Sequence, residues 1–211
     1  MRIQAPPETS DSADKLADTL PTVHELIRSR WSPRSFSSRQ ISDRDLETVL
    51  EAARWAASSF NEQPWRFIVA RRSDTEAFNK LLGLLVPFNQ AWAKNASVLI
   101  IMAAKKTFSH DGNENYYALH DAGAALANLF LQATALGFHG HGMAGFDRAR
   151  AQRELNMPDD YEPAAAVALG YLGEPDGLEL QRHRTAEIAK RQRKPLSELV
   201  FNGSWHQPFR L

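Results

Sequence analysis

The stretch Ala57-Ser58-Ser59-Phe60-Asn61-Glu62-Gln63-Pro64-Trp65 decides the fold of this chain. Before it, Leu46, Val49, Leu50 and Ala53 recur at helical spacing. Ser42 with Asp45 forms a capping box, and Ile41 and Leu46 stand at the hydrophobic-staple positions, which predicts a helix to about Ala57. After it, residues 65–70 form a short apolar run that reads as a buried strand. Hydroxyl and amide donors are therefore crowded into a tight helix-to-strand connection. Such groups suit the edge of a heteroaromatic ring, where orientation matters more than charge; an ordinary polar turn is the plainer alternative.

Working outward, Thr22 with Glu25 predicts a capping box for a first short helix, and Ser73 with Glu76 one for a third helix. A long helix is expected over residues 115–136, with Gly137 at its C-terminal cap. So many of its positions are small or apolar that it must be buried on most sides. A shorter helix is expected over 148–155, and further strands over 98–103 and 164–171. Residues 1–21, with Pro6 and Pro7, read as a flexible leader. From about residue 173 the chain is polar until Leu196, Val200, Phe201 and Trp205, as expected of an arm that wraps a neighbour. Residues 22–211 read as one α+β domain.

Lys plus Arg equals Asp plus Glu at 25 each, a balance that argues against nucleic acid or an anionic membrane as the main partner while leaving room for a small, local basic cluster. The absence of cysteine excludes disulfides, thiolate nucleophiles and iron–sulfur ligation, so any redox chemistry needs a bound cofactor. The longest nearly apolar run, residues 96–104, is far below the roughly 20 residues that a membrane span requires. The polar N-terminus has no secretory core, and the cytosol is the expected compartment.

Gly140, Gly142 and Gly145 spell G-x-G-x-x-G. The dinucleotide-binding form of that motif needs a strand before it and a helix beginning at its last glycine; here a long helix precedes it. His139 and His141 alternate like a strand pair. Without a third ligand beyond His120 or Asp121 they are expected to pack or hydrogen-bond, and no metal is expected.

Two basic stretches remain. In Arg30-Trp31-Ser32-Pro33-Arg34-Ser35-Phe36, alternate residues of an extended segment share a side, so Arg30, Ser32 and Arg34 can converge on one anion. The tail carries Arg191-Gln192-Arg193-Lys194-Pro195-Leu196. Each alone reads equally as a solvated charge run.

Taken in order, these stretches resemble the nitroreductase family. Residues 30–36 look like its R-x-S-x-R-x-F element and residues 58–65 like its S-S-x-N-x-Q-P-W element, while Met143-Ala144-Gly145-Phe146 resembles its loop beside the flavin. The resemblance implies a three-layer α-β-α sandwich with a mostly antiparallel sheet and a C-terminal arm reaching the partner subunit. It further implies a homodimer with FMN at the interface. Arg30 and Ser32, with Trp31 between them, would hold the phosphate end, and Arg193 and Arg191 would close over it. Arg34 would approach the flavin and act as the catalytic cation. Ser58, Ser59 and Asn61 would come from the other subunit. Gly142, Met143, Ala144 and Gly145 would pass beneath the ring, and Asn89 would touch its edge.

Three departures bear on substrate range. Ala57 replaces a usual proline, Trp31 a common basic residue, and Trp92 stands where some relatives carry lysine. The implied activity is hydride transfer from NAD(P)H through flavin N5 to flat, electron-poor nitroaromatic or quinone-like acceptors, by a ping-pong mechanism. A non-catalytic FMN binder, or a flavin-fold enzyme of dehalogenation or flavin cleavage, are the alternatives.

Overall fold

The computed structural model describes residues 15–210. Its centre is β2 (Val98–Lys105), whose first seven residues are all buried. A strand so apolar must be covered on both sides, and it is paired on both edges as well. It lies antiparallel between β1 (Trp65–Arg71) and β4 (Tyr161–Gly170), and β3 (His139–Met143) adds antiparallel to β4. The order is β1-β2-β4-β3.

The period-2 alternation of β2 divides the core in two. Val98, Ile100, Met102 and Ala104 pack under α2 (Asp43–Arg54) and α5 (Ala118–Ala135). Leu99, Ile101 and Ala103 pack under α3 (Thr75–Leu84), α4 (Pro87–Ala93) and α6 (Arg148–Glu154). The result is the expected α-β-α sandwich. Two further helices, α1 (Glu25–Ser29) and α7 (Gln181–Ile188), lie at its margin. No helix among the described residues is long and apolar enough to cross a membrane.

Local signals read from the sequence act where expected. Ser42 Oγ accepts from Asp45 N at 3.1 Å and donates to the Asp45 carboxylate at 2.8 Å. The staple residues Ile41 and Leu46 are both buried. Gly137 has φ +80°, and the N–H groups of Gly137 and Phe138 reach the carbonyls of Thr134 and Ala133, both at 3.1 Å, closing α5 with a Schellman motif.

Elsewhere the boundaries shift. His24, not Thr22, caps α1, its Nδ1 accepting from Leu26 N. Asp74 displaces Ser73 as the cap of α3, since its carboxylate reaches Ala77 N. The second helix stops at Arg54, with Trp55 as its C-cap, three residues short of Ala57. β3, α4 and α7 are elements that the sequence pattern does not announce. Of the leader expected over residues 1–21, residues 1–14 lie outside the described residues. Within the rest, Lys15 Nζ donates to Ala189 O at 2.7 Å and Ala17 N to Arg28 O at 2.9 Å.

Candidate functional site

The 30–36 turn leaves α1 and runs beside β3. Three contacts fix it. His141 Nδ1 lies 2.8 Å from Pro33 O; a carbonyl only accepts, so Nδ1 carries the proton. Gly173 N donates to Ser35 O at 3.0 Å, and the turn then bridges to the chain after β4 through Phe36 and Leu172. Gly173 and Gly170 leave room for this approach, since a Cβ on either would stand 2.7 Å from Phe36.

Within this frame Arg30 Nη1 donates to Ser32 Oγ at 3.3 Å. Burial, and then the nearby Arg191 and Arg193 guanidiniums, hold Arg30 below the ordinary arginine range. Arg191 is anchored by its Nη1 to the carbonyls of Arg28 and Lys15, at 2.6 and 3.0 Å. Among the described residues none of these three guanidiniums forms an ion pair. Three cations pressed together and lacking a carboxylate suit a multiply charged anion such as a phosphate, which would relieve their repulsion.

Arg34 stands on the same turn. Burial, partly offset by the Pro33 contact and reinforced by Arg34, pushes His141 down to about 4. Burial and then Arg30 do the same to His139, also to about 4. Both imidazoles are therefore neutral near pH 7, and the charge of the site belongs to its arginines. Trp31 lies 6.1 Å from His139, ring to ring. Trp92 is fully buried and packs 4.6 Å from His141, so it props the site from the core and not from the surface.

Beyond β3, Gly145 O accepts from both Val86 N at 3.1 Å and Asn89 Nδ2 at 3.0 Å. A Cβ on Gly145 would lie 2.7 Å from that amide and would have to displace it. Asn89 is thus brought against the segment Gly142, Met143, Ala144 and Gly145. Of the other glycines of G-x-G-x-x-G, Gly140 has a steric reason, since a Cβ there would meet Phe130 at 2.3 Å and Leu169 at 2.9 Å; at Gly142 a Cβ would make ordinary contact with the same phenyl ring. Every sheet pairing is antiparallel, unlike the parallel unit of a dinucleotide fold.

Ser58, Ser59 and Asn61 lie elsewhere. Their connection enters β1 at Trp65, opposite Ala104, which in turn pairs with Glu162 near the start of β4. The arginine turn sits at the other end of β4 and along the other edge of the sheet, beside β3. One chain therefore keeps the two groups apart. The connection is nevertheless tightly held: Ser58 Oγ accepts from Gln63 N at 3.0 Å, and Asp121 accepts from Ser59 N at 2.8 Å. Phe60, Asn61 and Gln63 all have φ between 52° and 56°, a left-handed conformation that costs on the order of 1–3 kcal/mol per non-glycine residue.

The sequence did not point to Glu187 or His183, and it raised Asp121 only as a possible metal ligand, not as the acceptor for Ser59 N. Neither Glu187 nor His183 belongs to a local pattern, and each becomes visible only through a contact distant in the chain.

Comparison with known proteins places the chain in a family. The family model described as the nitroreductase family matches residues 27–171. A protein of Archaeoglobus fulgidus, to which NADH dehydrogenase/NAD(P)H nitroreductase activity is provisionally ascribed by name, is 35% identical over 156 residues, covering 70% of this chain and 83% of its own. The major NAD(P)H-flavin oxidoreductase of Aliivibrio fischeri is 34% identical over 94 residues, 44% of this chain and 43% of its own. A crystal structure of an oxidoreductase containing FMN superposes with a TM-score of 0.83 at 36% identity, over 92% of this chain and 96% of its own. This chain belongs to the nitroreductase family.

Proposed function

We propose that the protein is a cytosolic, FMN-dependent NAD(P)H oxidoreductase, a homodimer with FMN at the subunit interface. The observation that carries the reading is the meeting of Arg30, on the turn that also carries Arg34, with Arg191 and Arg193 of the tail, none of the three in an ion pair among the described residues. With Ser32 and Trp31 these residues would hold the terminal phosphate. The half of the site formed by Ser58, Ser59 and Asn61 would come from the second subunit, as their separation within one chain requires. Residues 22–211 would act as one domain whose tail, from about residue 173, reaches the partner. Trp205 is 74% exposed and Phe60 80%, surface of the kind that a partner covers.

FMN bound there supplies hydride transfer at N5, from NAD(P)H and onward to a nitroaromatic or quinone-like acceptor. Arg34 is the catalytic residue: it places a fixed positive charge where reduction adds negative charge. Gly142, Met143, Ala144 and Gly145 offer backbone N–H groups beneath the ring, and Asn89 holds that segment in place. The neutral His139 and His141 buttress the turn without competing for the anion.

The purified protein should release FMN on denaturation. Arg30→Ala with Arg193→Ala should weaken its retention by 100-fold or more, since each charge-assisted contact contributes on the order of 1.5–3 kcal/mol. With donor and acceptor using one face in turn, double-reciprocal plots at several acceptor concentrations should be parallel. Absence of FMN, or full retention by the double variant, sinks the assignment; intersecting lines sink the ping-pong order.

A further inference from the structure

α7 is a helix docked by the wrong kind of residue. Its only buried side chains are His183 and Glu187, one turn apart on the same face. Burying a carboxylate is costly unless it is well bonded, and such a helix gains little from apolar contact. Yet Glu187 is only 3% exposed. Its two oxygens accept from consecutive backbone N–H groups, Oε2 from Arg34 at 2.8 Å and Oε1 from Ser35 at 3.0 Å.

We propose that Glu187 is a positioning residue: its carboxylate clasps the peptide that carries Arg34 and so sets where that guanidinium stands. The proposal rests on the role of Arg34 given above. The other fastenings of the turn hold different atoms. His141 holds Pro33 O, and Gly173 and Glu174 hold the Ser35 carbonyl and hydroxyl. None of them touches the N–H of Arg34. Without Glu187 the peptide between Pro33 and Arg34 keeps only the His141 contact to its carbonyl, and its N–H is left without a partner.

Burial pushes the Glu187 carboxyl above the usual carboxylate range, against the pull of the two N–H bonds. Ionising it therefore costs the fold stability at neutral pH, and stability is not what the contact serves.

The test compares wild-type holoprotein with Glu187→Gln, which keeps the shape and one acceptor, and with Glu187→Ala, which keeps neither. Amide hydrogen exchange at Arg34 and Ser35 should accelerate about tenfold or more in Glu187→Ala, and less in Glu187→Gln. Reduction by NAD(P)H should slow about tenfold in Glu187→Ala with KM changed less than about twofold, because the ground-state contacts remain. Glu187→Gln should fall between. Wild-type exchange and wild-type reduction in Glu187→Gln would overturn the proposal, as would an Ala variant that merely unfolds while the Gln variant is fully active. If the wild-type protein held no FMN, the functional reading above would fail, while exchange at Arg34 and Ser35 would still decide whether Glu187 orders the turn.

Discussion

The two faces of the sheet are built on different physics. Under α5 the strands offer Val98, Ile100, Met102, Val167 and Leu169, and the helix answers with Ala122, Ala125, Leu129 and Ala133. Alanines bring the helix close, and Gly140 of β3 makes room for Phe130. On the opposite face the same strand β3 turns His139 and His141 toward Trp31 and Trp92, next to the arginine turn. One face is packed chiefly by apolar side chains, with Asp121 the buried carboxylate of its helix. The other sets the two imidazoles beside the arginine turn.

The largest effect that separates the faces is acid sensitivity. His139 and His141 titrate near 4 in the fold against 6.5 in an unfolded chain. Between those values the folded state binds fewer protons than the unfolded state. Stability fully present above about 6.5 is therefore lost as pH falls toward 4, by about 3 kcal/mol for each histidine. Denaturant unfolding over that window should show the loss, and replacing both histidines by glutamine should flatten it. An unchanged slope in the double variant would remove these two groups from the account.

Next in size is the scaffold itself. Leu129 is fully buried, so Leu129→Ala should cost about 2–5 kcal/mol. The same loss should be found at pH 7 and pH 5; a loss that varied with pH would mean that the two faces are not independent. The smallest effect expected is that of Gly140→Ala, about 1–3 kcal/mol, as the new methyl forces the Phe130 ring aside. Pairing it with Phe130→Leu should recover part of the loss in a double-mutant cycle. Strict additivity would show that Phe130 is not what excludes the side chain.

What could be read without a structure was whatever is encoded within a few residues. The Ser42 cap, the Ile41–Leu46 staple and the Gly137 terminus lie in local patterns, and each is present. The apolar run of residues 98–103 read as a buried strand, and it lies at the centre of the sheet. The 30–36 and 58–65 stretches carried meaning through their joint resemblance to the nitroreductase family, since each alone also read as an ordinary polar or charged segment.

Other features have no local signature. β3 contains two glycines in five residues and is a strand only because β4 pairs with it and α5 leaves no space for side chains. α7 has no apolar stripe; it exists where Glu187 finds the N–H groups of residues more than 150 positions away. The sequence by itself determined most of the helices and strands, because hydrophobic period and caps act along the chain, while its motifs carried the family resemblance that implied the sandwich. Only the tertiary structure decided that Arg191 and Arg193 come beside Arg30, that one chain keeps residues 58–61 apart from the arginine turn, and that a buried carboxylate stands behind Arg34. Those outcomes depend on desolvation and on contacts across space, which linear spacing does not record.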